Sequence, residues 1–324
     1  MLKTPDFWTK KNLPSFALLP ISFIYFVGFY LIKFFSKPEQ ISKPVICIGN
    51  IIAGGAGKTP TAIAVGEILN EIGVKFAFLS RGYMNDGSKF LMLHNHDNNK
   101  AEQVGDESLL LIKVAPTFVA KDRLFGAKQI EKMKQFEAII LDDGMQCNSL
   151  KRDFTILVID GKIGFGNDFM IPAGPMRETL SSGLQKTDLV VLVGDADEKL
   201  TKKLANKKII KAKISPKNLD IFLGKKLIAF CGLAYPKKFF SLLENEGLEV
   251  IESIGFADHY QYKSSDLELL LRSAEEKNAK LITTKKDWVK FPKSFQEKIS
   301  YLDINLVFEN TEILKSELKK LLKI

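Results

Sequence analysis

The chain has 324 residues, of which 46% are hydrophobic, and a formal net charge of +9. This length accommodates one large domain or two ordinary ones with a real core. The positive balance favours an anionic partner, such as an acidic lipid, a phosphorylated substrate or a nucleic acid. Nucleic acid is not the expected partner, because the sequence has neither an Arg-rich arm nor basic runs interleaved with aromatic residues. No obligate protein partner is evident.

Cysteine and histidine are sparse. Cys47, Cys147 and Cys231 lack CxxC spacing, which is typical of a reduced, cytosolic protein with buried thiols. His94 and His96 lie in the polar stretch HNHDNNK, which we interpret as an exposed loop rather than a metal site.

The first predicted element is a hydrophobic segment from Leu13 to Ile32, LPSFALLPISFIYFVGFYLI, which carries no charge. A helix of about 20 residues spans roughly 30 Å, the thickness of a bilayer core. Pro14 and Pro20 weaken its first half as a straight helix. Lysines flank both ends, at positions 10, 11, 33 and 37.

Three interpretations of this segment compete: a signal peptide, a buried hydrophobic hairpin, and a membrane anchor that spans the bilayer or lies in its interface. A signal peptide is disfavoured because KFFSKP, rather than a small-x-small cleavage site, follows the segment. We favour the anchor and predict that residues 1–42 form an N-terminal hydrophobic, membrane-associating segment.

From Lys43 onward, apolar runs that suit strands alternate with amphipathic runs that suit helices. The predicted strands are VICIGN, KFAFLS, TFVA, FEAIILDD, FTILVID and DLVVLVG. This alternation predicts an α/β fold over residues 43–222, a P-loop NTPase-like, mostly parallel sheet with helices on both faces.

The stretch GNIIAGGAGKTP, Gly49–Pro60, lies between the first strand and the first helix of this pattern. Its glycine-rich backbone and helix N-terminus suit the phosphates of ATP, with Lys58 as a catalytic cation on the β- and γ-phosphates and Thr59 on Mg²⁺. Ile52 replaces the usual first glycine, so a ligand-free turn is the alternative. The predicted ATP-binding residues are Ile52, Ala53, Gly54, Gly55, Ala56, Gly57, Lys58 and Thr59.

Two pairs of acidic residues are candidates for the metal and for base catalysis. Asp142 and Asp143 end the run AIILDDG, where a parallel sheet presents side chains to its ligand crevice, although Asp-Asp-Gly also suits a turn. Asp106 and Glu107 open an apolar helix in VGDESLLLIKV. Either these carboxylates only interact favourably with the helix dipole, or one is a catalytic base and the other a metal ligand. Their spacing leaves both options open.

These features combine with six further motifs that occur in the order expected of one enzyme. The chain closely resembles the tetraacyldisaccharide 4'-kinase (lipid A 4'-kinase) family over nearly its full length. Ile52 is a mild departure, since Thr or Ser commonly stands there in that family. The motifs are SRGY (Ser80–Tyr83), GDES (Gly105–Ser108), VAKDR (Val119–Arg123), LDDGMQ (Leu141–Gln146), PAGPMRE (Pro172–Glu178) and FADHY (Phe256–Tyr260).

The resemblance implies a kinase at the cytoplasmic face of the inner membrane. It would move the γ-phosphate of ATP, with Mg²⁺, to the 4'-hydroxyl of an anionic tetraacylated glucosamine disaccharide 1-phosphate and yield lipid IVA. Asp106 would be the catalytic base and His259 would orient it. The Mg²⁺ environment would comprise Thr59, Glu107, Asp142 and Asp143, and the candidates for substrate or phosphate contacts are Tyr83, Arg123 and Arg177.

One departure from the family creates an alternative function. The family often has TTEKD where this chain has TTKKD, and TKKD, Thr284–Asp287, matches the guanine-reading signature of GTPases. A membrane-attached GTPase is therefore the second hypothesis, although Leu141 stands where its DxxG aspartate would be. An ATPase of the deviant P-loop class is disfavoured because it expects Lys where Ala53 stands.

A second alternation begins near Lys225 and predicts a smaller α/β domain over residues 223–324. Its predicted elements are a strand and helix in KKLIAFCGLAYPKKFFSLLENEG, strands in EVIESIGF and KLITT, and helices from about Ser264 and Asn310. His259 belongs to this half and Asp106 to the other, so we expect domain closure to assemble the catalytic pair.

Overall fold

The structure is a computed structural model that describes residues 5–82, 90–93 and 104–324. It divides into two compact units. The larger comprises residues 5–214 and 306–324, and the smaller comprises residues 215–305.

The larger unit is built on a nine-stranded sheet, counted over the described residues, in the order β13-β8-β7-β6-β1-β5-β2-β4-β3. Most of the central strands are buried along their whole length, as their apolar runs predict. The strands are β1 (Val45–Gly49), β2 (Phe76–Ser80), β3 (Leu91–Leu93), β4 (Thr117–Val119), β5 (Ala138–Asp142), β6 (Phe154–Asp160), β7 (Leu189–Val193), β8 (Lys208–Pro216) and β13 (Ile304–Phe308).

Strand pairing places the strand before the glycine-rich loop beside the strand that ends in Asp142. β1 pairs in parallel with β5 and with β6, and Ile48 is opposite Asp142 in the register. β3 is antiparallel to β4 at the edge, so the sheet is mixed but mostly parallel. Because the carboxyl ends of parallel strands share one edge, Gly49 and Asp142 end there together. The predicted α/β fold is confirmed.

Helices of the larger unit pack on this sheet through buried apolar side chains, such as Val65 and Leu69 of the helix that follows β1. They are α3 (Lys58–Glu71), α4 (Asp106–Leu111), α5 (Arg123–Glu131), α6 (Leu180–Gln185), α7 (Glu198–Lys203) and α12 (Thr311–Leu322). The prediction assigned residues 306–324 to the smaller domain. The structure instead places α12 in the larger unit, because Leu314 and Leu318 are buried in its core.

The hydrophobic N-terminal segment forms two helices, α1 (Leu13–Ala17) and α2 (Leu19–Phe35). Pro14 and Pro20 each occupy the first turn of a helix, where the missing N–H costs nothing, so the chain breaks between them at Leu18. Within the described ranges, no helix combines the length and the apolar character needed to cross a bilayer. The membrane-associating role of the segment stays a prediction.

The smaller unit carries a four-stranded parallel sheet in the order β10-β9-β11-β12. Its strands are β9 (Leu227–Cys231), β10 (Val250–Gly255), β11 (Lys280–Thr284) and β12 (Ser300–Leu302). Its helices are α8 (Pro236–Asn245), α9 (Ser264–Glu276), α10 (Lys285–Trp288) and α11 (Lys293–Gln296). The predicted alternation of strand and helix after Lys225 is therefore present, although this unit begins at residue 215 rather than 223.

Candidate active site

The glycine-rich loop joins β1 to α3, as its sequence predicts. Gly54 and Gly57 have φ angles of +115° and +90°, a region that side chains other than glycine rarely adopt. Gly57 is the N-cap of α3, and Lys58 and Thr59 are its first two residues. A helix N-terminus with free backbone N–H groups is a general anion site, so the loop has the local form of a phosphate cradle.

Ile52 has a structural reason for standing where a glycine is usual. Its side chain is 2% exposed and packs in a core cluster with Met170 and Met176. The backbone on either side is also held, since Ala53 N donates to Pro175 O at 2.7 Å and Arg177 N donates to Ile51 O at 2.7 Å. An apolar side chain therefore anchors the first half of the loop.

Lys58 and Thr59 face the aspartates that end β5. The Lys58 Nζ lies 3.7 Å from Asp143 Oδ1 and 3.5 Å from Gly54 O. The Thr59 hydroxyl donates to Asp142 Oδ2 at 3.2 Å. The structure thus brings together four residues that the sequence analysis assigned to one site.

Asp142 has the surroundings of a cation ligand. Its side chain is 2% exposed, and its Oδ1 has no hydrogen-bond partner among the described residues. Burial, together with the charges of Glu107 and Asp143, raises the pKa of Asp142 to about 7. A buried carboxylate with an unused oxygen beside a threonine hydroxyl suits Mg²⁺, which prefers oxygen ligands.

Asp143 is held by cations instead. The Arg177 Nη1 lies 3.1 Å from both of its carboxylate oxygens, and Arg123 Nη2 donates to its carbonyl at 3.0 Å. Burial opposes ionisation of Asp143, but the charges of Lys58 and Arg177 outweigh it and lower the pKa to about 2. Two of the three candidate substrate contacts, Arg123 and Arg177, therefore lie at this site. The third, Tyr83, lies outside the described residues.

Asp106 and Glu107 begin α4, and Gly105 before them has a φ of +83°. Asp106 is 4% exposed, and its Oδ1 accepts the backbone N–H of Glu107 at 2.9 Å. α4 packs against α3, and the charge of Glu107 acts on Asp142. The acidic pair is therefore close to the loop rather than only a feature of a helix terminus.

His259 belongs to the smaller unit. Its backbone has a φ of +54°, and its N–H donates to Gly232 O at 3.2 Å. The ring Nε2 lies 3.3 Å from Lys286 Nζ and 4.0 Å from Asp258 Oδ1. Its predicted pairing with Asp106, in the larger unit, stays a prediction.

The guanine-reading hypothesis conflicts with the bonds of Asp287. Its carboxylate is fully buried and accepts from Gly232 N at 3.0 Å, Thr284 Oγ1 at 2.7 Å and Lys290 Nζ at 2.7 Å. Because these bonds hold the Asp287 carboxylate within the smaller unit, it is not available to bind a guanine base. Lys285, the departure from the family pattern, pairs with Asp303 at 2.7 Å.

Gln146 and Glu178 lie within the motifs LDDGMQ and PAGPMRE, but the sequence alone indicates no role for either residue. The Gln146 Nε2 donates to Asn50 O at 3.0 Å and to Glu178 Oε1 at 3.3 Å, and its Oε1 accepts from Arg177 at 3.1 Å. Glu178 is fully buried and pairs with Lys186 at 2.8 Å. These contacts join segments that are far apart in the sequence, so the sequence pattern does not predict them. The only sequence signal that these two residues belong to the site is their position inside family motifs.

A phosphate loop between a parallel strand and a helix, with a Lys-Thr pair facing aspartates on the neighbouring strand, defines the P-loop nucleotide-binding class. Within that class, residues 14–323 match the sequence model of the family described as LpxK, tetraacyldisaccharide-1-P 4'-kinase. The chain belongs to this family.

Individual relatives agree with the family match. The chain is similar to a tetraacyldisaccharide 4'-kinase of Paramagnetospirillum magneticum, at 38% identity over 97% of each chain. One from Rickettsia felis is 36% identical over 98% of this chain and 96% of its own length. A crystal structure of an "apo" form of LpxK from Aquifex aeolicus in complex with ATP matches with a TM-score of 0.76. Its sequence is 26% identical, and the match covers 96% of this chain and 100% of that one.

Proposed function

We propose that the chain transfers the γ-phosphate of ATP to the 4'-hydroxyl of a tetraacyl glucosamine disaccharide 1-phosphate, which yields lipid IVA for lipid A biosynthesis. The family match over residues 14–323 supports the substrate class. The observation that carries the reaction type is the placement of Lys58 and Thr59 against Asp143 and Asp142 at one edge of the sheet.

Lys58 and Arg177 are the phosphate-binding cations in this proposal. Both side chains pair with Asp143, so a bound triphosphate would share or replace that carboxylate as their partner. Arg177 and Arg123 carry planar guanidinium groups that suit phosphate oxygens. Tyr83 remains a candidate for the sugar or its phosphate.

Asp106 is the proposed base that accepts the proton of the attacking 4'-hydroxyl. Its burial and its position at the first turn of α4 fix the carboxylate near the loop, as a base must be to reach its proton. His259 would orient Asp106. Because the two residues belong to different compact units, residues 215–305 and the larger unit, we propose that a domain movement assembles the pair.

Mg²⁺ fits the residues at the end of β5. Thr59, Glu107, Asp142 and Asp143 form the proposed environment, and the unpartnered Asp142 Oδ1 within the described part of the chain supports it. When bound, the ion would neutralise charge on the phosphate oxygens during transfer.

We further propose that α1 and α2 rest on the cytoplasmic face of the inner membrane. One side of α2 exposes large apolar side chains, including Ile24 at 71% and Phe35 at 76%. Lysines at positions 10, 11, 33 and 37 flank this surface and would face anionic headgroups. An acylated acceptor would then be presented from the membrane to the loop.

The test is transfer of labelled phosphate from ATP to the detergent-dispersed acceptor by the wild-type chain and by Asp106→Asn. Glu67→Gln is the matched control, since Glu67 is an exposed carboxylate on α3. We expect a loss of 10²-fold or more in kcat for Asp106→Asn and none for the control. Equal transfer by all three proteins would remove Asp106 from the mechanism, and no transfer by the wild type would refute the proposed function.

A further inference from the structure

The segment Met170–Ser182, called the strap here, connects the hydrophobic helix α2 to the nucleotide loop. Four polar side chains of α2 bond to it. The contacts are Ser22 Oγ to Met170 O (2.8 Å), Tyr25 Oη to Arg177 O (3.1 Å), Tyr30 Oη to Thr179 Oγ1 (2.7 Å) and Lys33 Nζ to Ser182 Oγ (2.9 Å). In addition, Ala173 N donates to the Ser22 hydroxyl at 3.0 Å. Residues 22 and 33 are eleven positions apart, or about three helical turns, so these groups share one face of α2.

The strap also holds the nucleotide loop along a continuous stretch. Pro175 O accepts from Ala53 N, Arg177 N donates to Ile51 O, and Met176 and Ile52 form a bridge between these two bonds. The strap also contacts the site directly, because the guanidinium of Arg177 donates to both carboxylate oxygens of Asp143. Every step from α2 to the phosphate cradle is thus a direct contact within the larger unit.

The opposite face of α2 is exposed. Ile21, Ile24, Leu31 and Phe35, at spacings of three, seven and four residues, are each more than half exposed. The helix therefore has one side bonded to the strap and another side available to a surface.

We propose that Ser22, Tyr25, Tyr30 and Lys33 are positioning residues for nucleotide binding, so that seating of α2 on an anionic lipid surface tightens the hold of the loop on ATP. Nucleotide binding must order the loop, the strap and α2. A lipid surface that already restricts α2 would lower the conformational entropy lost in that step, so nucleotide would bind more tightly. This inference rests on the proposed function for ATP as the ligand and for the contact of α2 with an anionic lipid surface. It makes no use of the lipid acceptor.

Linkage gives the proposal a second consequence. If a lipid surface strengthens nucleotide binding by a given factor, nucleotide must strengthen binding to that surface by the same factor. The two affinities can be measured separately on the wild-type chain, without any substitution.

The experiment titrates a fluorescent ATP analogue into the protein with and without phosphatidylglycerol vesicles that lack the acceptor. The variants are Tyr25→Phe combined with Tyr30→Phe, which keeps both rings, and Ser36→Ala as control. Ser36 lies at the end of α2, and its hydroxyl donates to Ile32 within the same helix. We expect vesicles to tighten nucleotide binding by about threefold to tenfold in the wild type and the control, the effect of roughly one hydrogen bond. We expect the same factor when vesicle sedimentation is measured with and without nucleotide.

In the double Phe variant, we expect weaker nucleotide binding and no response to vesicles, while its sedimentation with vesicles persists. A merely structural role would lower the thermal midpoint and leave the response to vesicles intact, which would overturn the proposal. Wild-type affinity that is the same with and without vesicles would overturn it too, with the kinase function unaffected. A wild-type chain that binds no nucleotide under any condition would refute the proposed function and this inference together.

Discussion

The buried ion pair that Glu178 of the strap forms with Lys186 allows a direct test of the packing around the site. Glu178 is fully buried, and its Oε1 lies 2.8 Å from Lys186 Nζ, whose side chain is 16% exposed. Ser182 and Gln146 donate to the same carboxylate at 3.0 and 3.3 Å. Desolvation lowers the pKa of Lys186, and the charge of Glu178 opposes that shift. The substitution Lys186→Met keeps an unbranched side chain that is one atom shorter and leaves the Glu178 charge unpaired.

The expected cost follows from these contacts. Removing one partner of a buried pair typically costs about 3–5 kcal/mol. The two remaining hydrogen bonds retain part of the stabilisation of the carboxylate, so we expect the low end, about 3 kcal/mol. For a unit of this size that corresponds to a fall of roughly 10 °C in the thermal midpoint, measured by circular dichroism near neutral pH.

Two companion variants decide whether the burial of the pair is responsible. Lys202→Met breaks an exposed pair with Glu198 at 2.7 Å and is expected to cost less than about 1 kcal/mol. The double variant Glu178→Gln with Lys186→Met removes both charges and should recover at least half of the loss. If Lys186→Met and Lys202→Met shift the midpoint equally, or if the double variant is no more stable than Lys186→Met alone, the reasoning fails.

Three other predictions concern charged groups. Because the pKa of Asp142 is raised to about 7, the folded state binds its proton more tightly than the unfolded chain, so its contribution to stability falls as pH rises from about 4 to 7. Asp142→Asn should remove that decline in urea unfolding, and an unchanged pH profile would contradict it. The lowered pKa of Asp143 has the opposite sign: its contribution is present above about pH 4 and lost toward pH 2, and the loss should be absent in Asp143→Asn. In the smaller unit, Lys290→Met breaks a pair that is 2% exposed and should cost about 3 kcal/mol, whereas Lys285→Met breaks a pair about a quarter exposed and should cost under about 1 kcal/mol. Equal unfolding free energies for these two variants would refute the difference.

Much of the fold follows from the periodicity of the sequence. The apolar run at Ala138–Asp142 and its counterpart at Val45–Gly49 are short, bounded and buried, so their pattern predicts strands. The helix that begins at Ser264 follows from an amphipathic pattern. The site residues Lys58, Thr59, Asp142 and Asp143 come together because strand order places their two strands side by side, and the motifs identify both strand ends.

Other features depend on tertiary contacts that periodicity does not encode. The sequence pattern of α12 is equally compatible with either unit, and only the burial of Leu314 assigns it to the larger one. The strap has no regular pattern before α6, so its bonds to Ile51 and Ala53 could not be predicted. The hydrophobic N-terminal segment divides into two helices because Pro20 lies in the first turn of the second one. The apolar composition of the segment alone predicts a single helix and does not show this break.

The central claim is that the acceptor of the γ-phosphate is the 4'-hydroxyl of an acylated disaccharide 1-phosphate. The most direct measurement compares transfer of labelled phosphate from ATP to this acceptor with transfer to an analogue in which hydrogen replaces the 4'-hydroxyl. We predict a phosphorylated lipid product from the first and none from the second. Equal labelling of both acceptors, or hydrolysis of GTP without labelling of either, would contradict the account.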